Sequence, residues 1–108
     1  MLHGGTPAQM DHAIAIALAN LLGLVCDPVA GLVELPCVNR NTMGASNAVC
    51  TADMALAGIE SRIPADEIID VMKKVGQQMP PALRETGEGG MAATPTGRRI
   101  ARELRTEA

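Results

Sequence analysis

The sequence predicts an all-α protein, a compact bundle of about four to five helices with Gly- and Pro-rich connections. Three observations carry that prediction. Apolar residues recur at three- and four-residue spacing along much of the chain, the period of an amphipathic helix. No segment alternates apolar and polar residues as a half-buried strand would. Helix start and stop signals divide the chain into segments of helical length.

The first helix starts at Thr6-Pro7-Ala8-Gln9, where Thr6 is placed to cap, Pro7 takes the first helical position and Gln9 can reach back to the cap. Ile14, Leu18, Leu21, Leu22 and Val25 continue it, while Ala13, Ala15, Ile16, Ala17 and Ala19 make its other faces nearly as apolar. That pattern predicts a central, buried helix. Asp27-Pro28 ends it just after Cys26, because the residue before a proline is driven out of the α region. A short apolar segment, Val29 to Leu35, leads to Pro36-Cys37.

Asn39-Arg40-Asn41-Thr42 supplies a cap for a second, alanine-rich helix from Met43 to Ala57, stopped by Gly58. A third has Pro64 near its start, Asp66 and Glu67 in its first turn, Lys73 and Lys74 in its last and Gly76 beyond. Ile68, Met72, Val75 and Met79 form its inward stripe, and Pro80-Pro81 closes it off. Arg84 to Ala93, rich in Gly and Thr, reads as an ordered loop. A last helix begins at Thr94-Pro95 or Thr96, with Ile100 and Leu104 inward and Arg98, Arg99, Arg102 and Arg105 outward.

Composition narrows the function. At 108 residues the chain has the length of one domain, and 47% apolar residues argue against disorder despite 11 glycines and 7 prolines. It has no Phe, Tyr or Trp, so its core must be built from Ala, Leu, Ile, Val and Met, which favours helices meeting closely at small residues. A net charge of −3 without aromatics excludes both the basic footprint of a phosphate-backbone binder and the stacking platform of a single-strand binder. No nucleic acid is expected as a partner. Nor is a membrane, since Ala13 to Val25 is closed by Cys26-Asp27-Pro28 well short of the roughly 18 apolar residues a span needs. Met1 to Gly5 shows neither a basic stretch nor an apolar run, and there are three cysteines, an odd number. Together these predict reduced thiols in a cytoplasm.

Three thiols, two histidines and several carboxylates are the groups able to do chemistry. Cys26 and Cys37 each lie close to a proline at a break in regular structure, where a side chain can turn toward a ligand. Cys50 falls inside the alanine-rich helix and reads as a small core residue. By themselves, Cys26 and Cys37 also fit that bland role better than that of ligands. Structural zinc is excluded by the lack of any cysteine pair spaced by two to four residues. His3 and His12 read as solvated or structural. The helix dipole accounts for Lys73 and Lys74 at a helix end, and the C-terminal arginines read as a solvated face.

The run Ile16 to Asn41, with Gly23-Leu24-Val25-Cys26-Asp27-Pro28-Val29-Ala30-Gly31 followed by Glu34-Leu35-Pro36-Cys37-Val38-Asn39-Arg40-Asn41, closely resembles the iron–sulfur-dependent L-serine dehydratases. The likeness continues through Ala52 to Ile59, Ile63 to Glu67, Met79-Pro80, Leu83 to Thr86, Gly89-Gly90 and Ala92 to Gly97, and so covers nearly the whole chain. It places residues 1–108 in the C-terminal portion of the family's α chain, or of the α domain in single-chain members.

The resemblance implies a lyase that converts L-serine to pyruvate and ammonia with a [4Fe–4S] cluster instead of pyridoxal phosphate. In such enzymes three cysteines ligate the cluster and one iron stays free to act as a Lewis acid. Cys26 and Cys37 match two of those ligands. The third belongs to an upstream segment outside this chain, and Cys50 matches none. Arg40 and Asn41, after the second ligand, either bind the substrate carboxylate or the cluster sulfides, or cap a helix; Thr94 and Thr96 carry the same ambiguity. The catalytic base and much of the substrate surface fall outside this span. The expected partners are L-serine, the upstream α segment, a β domain or β chain, and further copies of the chain. The chain alone is expected to hold no intact cluster and to be inactive. Two rival readings stand beside this one: a related lyase acting on another small amino acid, and a non-catalytic helical docking module.

Overall fold

The computed structural model describes residues 3–107. Among them are four α-helices, α1 (Pro7–Asn20), α2 (Cys37–Leu56), α3 (Ala65–Gln78) and α4 (Pro95–Glu107), with 3-10 turns at Val29–Gly31, Pro81–Leu83 and Gly90–Ala93. No strand occurs in the described residues, so the fold is all-α. Among the described residues no helix is long and apolar enough to cross a membrane. The chain divides into two units. One comprises α1, the greater part of α2 and nearly all of α3; the other comprises Leu24–Thr42 and the chain from Gln78 onward.

In the first unit α1 opens on the expected capping box. Thr6 Oγ1 accepts from the Gln9 amide at 3.1 Å, and Gln9 Oε1 accepts from the Thr6 amide at 2.9 Å. The helix stops at Asn20, short of the predicted end beside Cys26. Gly23 lies in the left-handed region at φ +80°, and the Cys26 amide donates to Leu83 rather than to a preceding turn. α1 is also less buried than its composition predicts: Ala15 is fully enclosed, but Ile14 is 43% exposed. Asn47 of α2 ties the two helices, its amide donating to the Ala17 carbonyl and its carbonyl accepting from Asn20, both at 3.0 Å.

α2 begins at Cys37, six residues before the predicted Met43. The polar run Asn39 to Thr42 is therefore helix, and Thr42 Oγ1 donates to the Val38 carbonyl at 2.9 Å. At the other end Gly58 is left-handed and its amide donates to Ala55 at 3.0 Å, the expected stop. α3 runs through Gly76 to Gln78, so Lys73 and Lys74 precede its last turn, and Pro80 rather than Gly76 limits it. Its stripe is as predicted at Ile68, buried, and at Met72 and Val75, half-buried, whereas Met79 falls just past the helix end. The ring of His12 accepts from the Ser61 amide at 3.1 Å, a structural role.

In the second unit α4 packs on the turns Val29–Gly31 and Gly90–Ala93. Thr94 Oγ1 caps α4 by accepting from the Gly97 amide at 3.0 Å, which settles Thr94 as a cap. The buried positions of α4 are Gly97 and Ala101, while Leu104, expected inward, is 40% exposed. Small residues hold this contact because a Cβ at Gly97 would run into the Met91 carbonyl.

Candidate functional site

Both resemblance-matched cysteines fall in the second unit. Cys26 sits on an extended segment whose main chain is held from both sides. Its amide donates to Leu83 at 2.9 Å and its carbonyl accepts from Glu85 at 2.8 Å, forming a parallel bridge opposite Arg84. Glu85 takes the left-handed conformation, φ +71°, to deliver that bond. Non-glycine residues seldom adopt it and persist there only where surroundings hold them. Cys37 is the first residue of α2, directly after the buried Pro36. Each cysteine is half-buried and free.

Asp27 and Arg40 join these segments. Arg40 lies three residues into α2 from Cys37, and its Nη1 donates to the Val25 carbonyl at 2.8 Å and to Asp27 Oδ1. One guanidinium thus grips the chain on both sides of Cys26. The other carboxylate oxygen of Asp27 accepts from the Met91 amide at 2.7 Å. Asp27 is 2% exposed, so both partners are needed to offset its lost hydration. Gly90 completes the fit: at φ +59° a Cβ there would stand 2.6 Å from the Asp27 Cβ.

The charges follow from this packing. Burial pushes the Asp27 carboxyl upward, but the Met91 amide and the Arg40 guanidinium outweigh it and hold the group below its ordinary value. Burial raises the Cys26 thiol, and the negative charges of Glu85, Cys37 and Asp27 raise it further against the pull of Arg40. Two soft donors on segments that Arg40 joins suit an iron–sulfur group in kind. In number they fall short: among the described residues no three His, Cys, Asp or Glu side chains are grouped to hold a metal ion.

Neither Arg40 nor Asn41 caps a helix, because α2 begins before them. Arg40 is taken up by Asp27 and Val25, and Asn41 Nδ2 donates to the Cys37 carbonyl at 2.9 Å within the helix. Cys50 is exposed on α2, which overturns its reading as a core residue. It lies in the other unit, beside Val49 and Asp53 on an open face. Thr96 is exposed near the start of α4. Asp27 is the residue the sequence reading missed; beside Pro28 it looked like a helix breaker, and its carboxylate role depends on Arg40 and Met91.

Fold and site together define a class: an all-α protein that presents two thiols from a clamped loop and a helix start joined by one guanidinium. The chain belongs to the serine dehydratase alpha chain family, whose model matches residues 1–92. It is 70% identical over 101 residues to the probable L-serine dehydratase alpha chain of Bacillus subtilis, covering 94% of this chain and 34% of that protein. It is 53% identical over 104 residues to the L-serine dehydratase alpha chain of Peptoniphilus asaccharolyticus, covering 96% of this chain and 36% of that one. With the L-serine dehydratase TdcG of Escherichia coli the identity is 45% over 92 residues, 84% of this chain and 20% of that protein. The chain therefore spans about a third of the length of these two alpha chains. No solved structure matches it.

Proposed function

We propose that this chain is the cluster-ligating part of an L-serine dehydratase, a lyase that converts L-serine to pyruvate and ammonia. One observation carries the reading: within a serine dehydratase alpha chain sequence, Cys26 and Cys37 stand on two segments that Arg40 joins. In this reading both cysteines ligate a [4Fe–4S] cluster, and a third comes from alpha-chain residues beyond these 108. When bound, the cluster supplies a Lewis-acidic iron for the serine hydroxyl. Pyridoxal phosphate has no part in it.

The chain's own residues do the positioning. The bridge at Cys26 fixes one thiol, the start of α2 fixes the other, and Arg40 with Asp27 sets the spacing between them. Arg40 has five donor hydrogens, so those not aimed at Asp27 and Val25 are available to a substrate carboxylate. Asn41 has a second amide hydrogen for the same purpose. The complete enzyme includes the rest of the alpha chain and a β domain or β chain, and it works in the cytoplasm. It associates into homo-oligomers, which the exposed Val33, Val38 and Val49 support.

The test is made on the full-length alpha chain with its β partner, purified anaerobically. Cys26→Ser and Cys37→Ser should each lose the visible absorbance of the cluster and pyruvate formation, because a hydroxyl is a harder and less readily ionised ligand. Cys50→Ser should keep both. The 108-residue chain alone should bind neither iron nor sulfide stoichiometrically. A full cluster in Cys26→Ser or Cys37→Ser would overturn the assignment.

A further inference from the structure

Apart from Cys26 and Cys37, the second unit contains a cleft of about 590 Å³ bordered by α4 and the loops around Gly31 and Gly87. Arg98, Arg102 and Arg105 line it. Their spacing of four and three residues puts them on one face of α4, where like charges on successive turns repel. None is ion-paired among the described residues, whose one salt bridge is Arg40 with Asp27. The chain has more acidic than basic residues, so three unpaired guanidiniums in one concavity run against its general charge. Glu88 is the single carboxylate in the lining, leaving an excess of two positive charges. Glycines and alanines make up most of the remaining wall, which leaves a hollow rather than a flat face.

We propose that this cleft binds a small dianion, a molecule carrying a phosphate group or two carboxylates. The volume falls within the range of small-molecule pockets, about 300–1,000 Å³. Guanidinium forks match phosphate and carboxylate oxygens in pairs. A dianion also neutralises the excess charge and relieves the repulsion along α4. The proposal makes no use of Cys26 or Cys37, so it stands or falls apart from the dehydratase reading.

Isothermal titration of the 108-residue chain at low ionic strength tests it, with inorganic phosphate in one arm and malonate or succinate in the other. Saturable binding at one site is expected in at least one arm, and the arm that binds identifies the chemical source. Arg102→Ala should weaken it about tenfold or more, the loss of one charge-assisted contact. Arg99→Ala should leave it intact, because Arg99 is on the same helix but outside the lining. Helical circular dichroism confirms that the variants are folded, and Arg98→Ala and Arg105→Ala repeat the test if Arg102→Ala is not. Equal weakening by Arg99→Ala and Arg102→Ala would mean diffuse attraction to a basic helix and would overturn the site. No saturable binding of any probe at millimolar concentration would overturn it as well.

Discussion

Arg40 and Asp27 form the one ion pair among the described residues, and it links the two segments that carry Cys26 and Cys37. The carboxylate is buried, while the guanidinium side chain is 31% exposed. The pair is therefore lopsided. Removing the arginine strands a charge away from water, whereas removing the carboxylate frees an arginine that can hydrate.

Arg40→Met should destabilise the chain by about 2 kcal/mol, since the carboxylate keeps only the Met91 amide and breaking a buried pair from one side is costly. Asp27→Asn should cost less, because an amide retains a polar contact without a charge. Urea unfolding of the two variants and their double mutant measures the coupling. Strict additivity would show that the pair contributes no mutual stabilisation.

The same carboxylate sets an acid dependence. Its folded value lies below its ordinary 3.8, so the unfolded chain takes up the proton first as pH falls. The stability Asp27 contributes is fully present above that ordinary value and is lost as pH falls through the lower, folded one. Melting temperature followed from pH 6 to pH 2.5 should fall more steeply for the parent than for Asp27→Asn, where pH bounds the scan at about these values. Parallel curves would assign the acid loss to other carboxylates.

Two glycine substitutions should act in opposite directions. Gly90→Ala forces a Cβ against Asp27 at a left-handed φ and should destabilise by about 2 kcal/mol or more. Gly44→Ala lies inside α2 with nothing within 4 Å of the added carbon, and should stabilise by up to about 1 kcal/mol through helix propensity. Thermal unfolding distinguishes them, and a stabilising Gly90→Ala would contradict the packing around Asp27.

Alkylation should order the thiols. Cys50 is exposed, whereas Cys26 is half-buried with its thiol held in the protonated form by burial and nearby negative charge. Since the thiolate is the reactive species, iodoacetamide at neutral pH should modify Cys50 well before Cys26, as peptide mass spectrometry would show. Faster labelling of Cys26 would contradict the electrostatics described for the site.

What the sequence disclosed was mainly local. The capping box at Thr6 and Gln9 involves neighbours only, and it forms as read. The C-terminal end of α1 and the start of α2 differ from the reading because apolar residues after Asn20 prolong a helical pattern, while Asn39 to Thr42 imitate a cap. After α1 the Cys26 amide is taken by Leu83, far along the chain, while α2 opens early because the Val38 and Arg40 amides donate to Glu34 and Pro36. Distance along the chain also hid the site's polar frame. Cys26 and Cys37 could be picked out by family resemblance, but nothing in the order of residues pairs Asp27 with Met91.

That distance also fixes when the site can form. Asp27 and Arg40 are separated by 13 residues, but Asp27 and Met91 by 64. Closing the longer loop is entropically the harder step, and it cannot begin before the chain has been made that far. On a ribosome Cys26, Cys37, Asp27 and Arg40 emerge before Met91 and wait while α3 is synthesised. The frame around Cys26 is therefore completed only after Met91 has been made, long after Cys26 itself.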